Sequence, residues 1–166
     1  RTIRVSPYDK TVTKEIEIGI IKRLLANENE KIITKYVNDI KNRIKNSSNY
    51  DHFAFRNVLS KDPEKYPEKG RLPQIKGSLY FKLHFNGNLR RGDIVKWFYV
   101  KQMIEGYPSI NSIAYDDVNK LPKGIKIDWE RTMDPLIDSV VKTIFKSVGL
   151  KYEPNNSGSM SLADFE

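Results

Sequence analysis

Apolar residues recur with helical spacing towards both ends of the chain and predict three helices. Ser6-Pro7 suits the start of the first helix, Asn46–Asn49 ends the second, and Gly149 ends the third. On the second helix we expect Lys31, Lys35, Lys41 and Lys45 to face solvent. The predicted buried face of the first helix is Val12, Ile16, Ile20, Ile21, Leu24 and Leu25, and that of the second is Ile32, Ile33, Tyr36, Val37, Ile40 and Ile44. The predicted buried face of the third helix is Met133, Leu136, Ile137, Val140, Val141, Ile144 and Phe145.

The middle of the chain has strand-like and irregular segments. Residues 50–74 are broken by prolines and Gly70, which predicts a long loop. Residues 93–101 are aromatic and β-branched and predict a strand, and Ile113-Ala114-Tyr115 predicts a short one. Residues 75–85 alternate like a strand but also carry apolar residues four apart, so periodicity leaves both readings open. The pattern predicts a single α+β domain, mainly helical with a small antiparallel sheet.

Positive charge is concentrated in the first part of the chain. The net charge is +8, and residues 1–101 hold 22 Lys/Arg against 11 Asp/Glu. From Lys65 to Lys101 only Glu68 and Asp93 are acidic. A local basic surface of this kind favours contacts to nucleic-acid phosphates over a merely solvated face. Its bases are Lys65, Lys69, Arg71, Lys76, Lys82, Arg90, Arg91, Lys96 and Lys101.

Few residues suggest catalysis. Cysteine is absent, and His52 and His84 are too few and too far apart to suggest a zinc site. Asp116-Asp117 after the short strand could hold metal ions, although a solvated turn is the simpler interpretation. No apolar run approaches the ~20 residues that span a bilayer. The net charge alone suits either nucleic acid or a membrane surface, and of these we expect nucleic acid and no membrane partner.

The last residues suit a docking peptide. Leu162 and Phe165 lie three residues apart, behind a tether rich in Gly, Ser, Asn and Pro. Two apolar anchors at this spacing suit one helical turn inserted in a pocket of another protein. The alternative is a frayed end whose phenylalanine folds back onto its own domain.

Several ordered segments together resemble the C-terminal thumb region of family B replicative DNA polymerases from T-even-type tailed phages, particularly marine, cyanophage-like ones. The resemblance covers roughly residues 50–166 and is looser over 1–49. It rests on Lys69-Gly70 with the run 73–80, Gly92-Asp93 with 96–100, 111–115 with 121–123, Asp128-Trp129-Glu130, Val148-Gly149 and the C-terminal Ser161-Leu162-x-Asp164-Phe165. Gln74 and Lys76 stand where the family usually has His and Arg, and Lys lacks the planar fork with which Arg holds phosphate.

The resemblance implies a role in holding DNA. Residues 1–49 would be a helical segment continuing from a palm domain, 50–152 a thumb-like DNA-binding body, and 153–166 a tether and clamp-binding tail. It makes residues 75–85 a helix, which we adopt. It also implies duplex contacts that do not depend on base sequence. The predicted DNA-binding residues are Lys65, Lys69, Arg71, Gln74, Lys76, Lys82, Arg90 and Arg91.

The same resemblance implies partners and limits. Leu162, Asp164 and Phe165 would bind a sliding clamp, the remainder of the polymerase would be a partner, and the setting would be the host bacterial cytoplasm. The palm carboxylates, fingers and exonuclease are not in these residues, so we expect no catalytic residue and no cofactor here, with Mg²⁺ expected for the intact polymerase. Two alternatives stay open: an interaction adaptor with a basic surface, and a small metal-dependent nuclease using Asp116 and Asp117.

Overall fold

The computed structural model describes residues 10–101 and 105–154. These residues form two compact units: a sheet unit of residues 47–101 and 105–128, and a helical unit of residues 11–46 and 129–154. In chain order the elements are α1 (Lys10–Leu25), α2 (Glu30–Lys45), β1 (Phe55–Val58), α3 (Pro73–His84), β2 (Ile94–Tyr99), β3 (Ser112–Tyr115), α4 (Trp129–Met133) and α5 (Ser139–Ser147), with a π-helical segment at Asp134–Asp138.

The predicted fold class is confirmed. About half of the described residues are helical, and the strands among them form one small antiparallel sheet. Residues 1–9, where the first helix was predicted to start, lie outside the described residues. Within the described part of the chain, no helix is both long and apolar enough to cross a membrane.

The buried faces of α1 and α2 are narrower than the sequence pattern predicts. Ile21, Leu25 and Ile32 were predicted to be buried, but they are 49%, 79% and 47% exposed. The buried face of α1 includes Thr13 and Gly19 beside Ile16 and Ile20. A Cβ on Gly19 would lie 1.9 Å from the Tyr36 hydroxyl oxygen, so a side chain there would collide with the tyrosine of α2. Small residues therefore occupy part of the helix contact, and larger apolar residues lie outside it.

Lys41 corrects a second prediction, because it is buried rather than solvent-facing. Its Nζ donates to Asp138 Oδ1 at 2.7 Å, and both side chains are 1% exposed. The Tyr152 hydroxyl donates to the same oxygen at 2.6 Å, and Lys41 Nζ lies 3.3 Å from that hydroxyl. Burial lowers the pKa of Lys41 although Asp138 opposes the shift, and burial together with Asp138 raises the pKa of Tyr152. These three side chains, the buried triad, link α2 to the middle of the last helix and to the segment that follows it.

The last helix is continuous from Trp129 to Ser147 but changes its winding in the middle. Pro135 has no backbone N–H to donate, which disturbs the α-helical pattern at that point. In the π-helical segment the Ser139 N–H donates to the Asp134 carbonyl, five residues back. Gly149 then adopts a φ of +73°, a conformation that glycine accepts at little cost, and it follows the end of the helix as predicted.

The sheet has the order β1-β2-β3, and both pairings are antiparallel. Phe55 pairs with Trp97, which pairs in turn with Ala114. The predicted strands at residues 93–101 and 113–115 are confirmed as β2 and β3. The loop predicted over 50–74 is wrong at β1, because this four-residue strand is too short to show alternation. The segment is a strand because it pairs with β2, and its own sequence does not indicate a strand.

Helix α3 confirms the helical reading of residues 75–85, and the strand-like alternation is misleading. Leu83, which alternation would place with Phe81, is 78% exposed, whereas Phe81 is fully buried. Gly77 lies against β3: a Cβ there would approach Ala114 N to 2.8 Å and Ile113 C to 2.9 Å. The contact is so close that only glycine fits. The buried side of α3 thus includes Gly77 and Ser78, which weakens its helical pattern in the sequence.

Candidate nucleic-acid interface

The turn that carries Arg90 and Arg91 is fixed against the end of β1. Leu59 N donates to the Asp93 carbonyl at 2.9 Å, and Gly92 N donates to the Leu59 carbonyl at 2.7 Å. Asp93 Oδ2 accepts from Arg90 N at 2.9 Å and closes the turn. Gly92 has a φ of +88°, which a side chain would strain. Two exposed arginines are therefore held on an ordered backbone next to residues 59–62.

Tyr66 organises the neighbouring loop. Its hydroxyl oxygen accepts from the backbone N–H groups of Ser60 and Lys61 at 3.1 and 3.2 Å. Its carbonyl accepts from Nε and Nη2 of Arg71 at 3.3 and 3.1 Å. The loop is thus closed on itself, and Arg71 is partly committed to holding it.

Two carboxylates join the segments that carry the basic side chains. Asp62 Oδ1 accepts from Arg91 N at 2.9 Å, and Asp62 Oδ2 lies 3.6 Å from Lys65 Nζ. Glu64 forms an ion pair with Lys82 of α3. Residues 59–66, the Arg90–Gly92 turn and α3 meet through these contacts. We call the resulting group the basic cluster: Lys61, Lys65, Arg71, Lys82, Arg90 and Arg91.

The electrostatics of the two acids agree with this geometry. The hydrogen bond from Arg91 N lowers the pKa of Asp62, and the Lys65 charge adds to the shift. The hydrogen bond from Lys82 lowers the pKa of Glu64. Both acids are therefore ionised at neutral pH and partly neutralise the cluster from within.

The structure brings together five of the eight predicted DNA-binding residues: Lys65, Arg71, Lys82, Arg90 and Arg91. Lys69 and Lys76 are exposed, and Gln74 is half-buried. Among the described residues, none of these three has a hydrogen bond or ion pair to the basic cluster. Binding of DNA by all eight residues stays a prediction.

Lys96, also counted in the basic region, has a different neighbourhood. Its Nζ donates to Asp51 Oδ2 at 3.0 Å, and the Tyr115 hydroxyl donates to Asp51 Oδ1 at 2.6 Å. Partial burial alone would raise the pKa of Asp51. The hydrogen bonds from Tyr115 and Lys96, with the nearby Arg56 charge, outweigh burial and lower it. Lys96 is thus engaged within the sheet unit.

Sequence reasoning missed Lys61, Asp62, Glu64 and Tyr66. In the run Lys61-Asp62-Pro63-Glu64-Lys65 two acids lie between two lysines, which is the signal that was available. A count of charged residues that begins at Lys65 leaves out Asp62 and Glu64. The contacts of Asp62 with Arg91 and of Glu64 with Lys82 appear only in three dimensions.

The adjacent aspartates considered as metal ligands both make structural contacts. Asp116 Oδ2 accepts from Asn88 N at 3.1 Å and from Lys120 Nζ at 3.2 Å. Asp117 Oδ1 accepts from Asn119 N at 2.9 Å and caps a short 3₁₀ turn. Within residues 10–101 and 105–154, no group of three or more metal-ligating side chains occurs. The predicted clamp-binding residues Leu162, Asp164 and Phe165 lie outside the described residues.

Comparison with solved structures shows that the fold of this chain is similar to that of a segment of a family B DNA polymerase. One similar structure is that of the family B DNA polymerase from the hyperthermophilic archaeon Pyrobaculum calidifontis, with a TM-score of 0.53 and 20% sequence identity. The match covers 85% of this chain but only 18% of the polymerase chain. At this identity the likeness concerns the fold alone. No protein-family model and no curated protein matches the sequence.

Proposed function

We propose that this chain is a thumb-like part of a phage replicative DNA polymerase that grips primer-template duplex and does not catalyse synthesis by itself. The observation that carries the proposal is the basic cluster, held on ordered backbone within a polymerase-like fold. The phage origin and the assignment to the thumb rest on the sequence segments described above.

Binding would act through phosphates. Lysine and arginine side chains that displace condensed counter-ions bind duplex irrespective of base sequence, and the affinity falls steeply with salt. A polymerase that copies any template needs this kind of contact behind its active site. Arg90 and Arg91 are well placed for it because their backbone is fixed while their side chains are exposed.

The remaining parts of the proposal concern partners. The palm of the same enzyme would supply the carboxylates that hold Mg²⁺, in the cytoplasm of the host bacterium. Leu162, Asp164 and Phe165 would dock on a sliding clamp and raise the local concentration of the polymerase at the primer end.

Salt-dependent binding of a fluorescent primer-template by the whole chain tests the proposal. Replacing both Arg90 and Arg91 by Gln should weaken binding and make the slope of log affinity against log salt shallower by roughly 1.8, about 0.9 per lost phosphate contact. Phe165→Ala should abolish clamp binding and leave duplex binding unchanged.

The matched control replaces Lys31 and Lys146 by Gln, two exposed lysines of the helical unit, which changes the net charge equally. This control should leave most of the slope intact. Absence of duplex binding at low salt, selectivity for one base sequence, or an equal loss in the control would contradict the proposal. Binding of a partner by the tail while the body ignores DNA would favour the adaptor instead.

A further inference from the structure

We propose that Asp62 and Glu64 act as internal counter-ions that occupy the basic cluster in the absence of DNA and are replaced by duplex phosphates. The inference rests on the proposed function and assigns a regulatory role to two acids within the same site. Duplex DNA is the competing ligand, recognised through its phosphate oxygens.

The positions of the two carboxylates support this role. Asp62 accepts from Arg91 N and lies 3.6 Å from Lys65 Nζ, while Glu64 pairs with Lys82. Backbone N–H groups and lysine ammonium groups are the donors that commonly hold phosphate oxygens on DNA. The acids thus engage the groups that a phosphate would use, with the same kind of charged acceptor.

The exposure of these pairs makes the exchange possible. The side chains of Lys82 and Glu64 are 44% and 45% exposed, and those of Lys65 and Asp62 are 73% and 40% exposed. Exposed ion pairs contribute little to stability, so a lysine can leave its carboxylate without loss of the fold. Asp62 also accepts from Arg91 N, a bond that a neutral amide oxygen could still accept.

The internal ion pairs lower the affinity of the basic cluster for duplex DNA. Each lysine that must leave a carboxylate before meeting a phosphate contributes less affinity than a free lysine. Displacement also gives the cluster two states, with lysines paired internally off DNA and paired with phosphates on DNA. Weak, exchangeable phosphate contacts let a protein move along duplex instead of staying at one position.

Glu64→Gln and Asp62→Asn test the inference in the full chain, with the primer-template assay at two salt concentrations. Both substitutions keep the side-chain shape and an acceptor oxygen while removing the charge. Glu64→Gln should bind duplex more tightly than wild type. Because one lysine is freed, its advantage should grow about threefold as salt falls from roughly 200 to 50 mM. Asp62→Asn should act in the same direction.

Glu68→Gln is the matched control. Glu68 lies in the same part of the chain and is exposed, with no ion pair among the described residues. An equal gain in Glu68→Gln would show a general charge effect and overturn the inference. The contribution of the Lys82–Glu64 pair is isolated by repeating Glu64→Gln in a Lys82→Gln background, where the gain in duplex affinity should disappear. A gain that persists there also overturns the inference.

The outcomes separate the two proposals. If wild type binds duplex with the expected salt dependence and Glu64→Gln gains nothing, the counter-ion role is wrong and the proposed function stands. If no variant binds duplex at low salt, both are wrong. Unfolding midpoints of all variants in urea should match wild type closely, which confirms that affinity changes do not come from misfolding.

Discussion

Lys41–Asp138 in the helical unit and Lys82–Glu64 in the sheet unit join the same two chemical groups in opposite surroundings. The first pair is 1% exposed on both sides and shares its carboxylate with Tyr152. The second is nearly half exposed. A buried pair cannot lose one partner without leaving a charge in a poorly solvated place, whereas an exposed pair exchanges its partner for water or phosphate. Burial therefore decides whether a lysine serves the fold or is available to a ligand.

The strongest test of this contrast removes each lysine in turn. Lys41→Met keeps much of the side-chain volume but leaves Asp138 without its ammonium partner, and should lower the free energy of unfolding by about 3–5 kcal/mol. Lys82→Met, the matched change in the exposed pair, should cost less than about 1 kcal/mol. Urea unfolding followed by circular dichroism measures both. Equal costs would remove the distinction between the two pairs.

A second test asks what stabilises the sheet unit if its exposed ion pairs do not. Gly77→Ala places a Cβ against the backbone of Ala114 and Ile113, which cannot move as a flexible side chain can. Overpacking of this kind should lower the free energy of unfolding by about 1–3 kcal/mol. Gly70→Ala is the control, since its φ is +78° but no atom lies within 4 Å of the added Cβ. The loss in Gly70→Ala reports backbone strain alone, and no loss in Gly77→Ala would show that the helix–sheet contact is not tight.

Asp51 represents the intermediate case, a half-buried acid with two donors. Because its pKa is lowered in the folded state, its stabilising contribution is present above the unfolded value of about 3.9 and is lost as pH falls through the folded value. Asp51→Asn should therefore flatten the fall of unfolding free energy below about pH 4, and should cost less than about 1 kcal/mol at neutral pH.

Tyr115→Phe provides an independent check on Asp51. It removes the hydrogen bond from the Tyr115 hydroxyl and should move the pKa of Asp51 back towards its ordinary value. The variant should accordingly show part of the same flattening in acid urea titrations. An unchanged acid dependence in both variants would argue against this account of Asp51.

Periodicity predicted the fold where large apolar residues form the contacts. Ile33, Val37, Ile40 and Ile44 mark the buried side of α2 correctly. It failed where small or polar residues are buried, as at Gly19, Gly77 and Lys41, because such residues appear in sequence as gaps or solvent-facing positions. For α3, the ordered resemblance gave the helix that alternation would have assigned to a strand.

The candidate site was only partly predictable. Local charge density pointed to Arg90 and Arg91, because consecutive arginines in a Gly-rich turn are visible in sequence. The acids that gather the cluster could not be assigned from sequence. Asp62 and Arg91 are brought together by the pairing of β1 with β2, and Glu64 meets Lys82 through the position of α3.

The π-helical segment sets the rotational phase of the last helix. Met133, Ile137, Val141 and Phe145 are all fully buried at a constant spacing of four residues, although an α-helix turns once in about 3.6. A strict α-helix would rotate this series by about 40° at each step, so that Phe145 would drift from the side occupied by Met133. The wider π turn takes up part of that drift. Asp134–Asp138 therefore behaves as a one-residue insertion that keeps Val141 and Phe145 on the buried side of the helix. Deletion of one residue there would turn Val141 and Phe145 about the helix axis by about 100°.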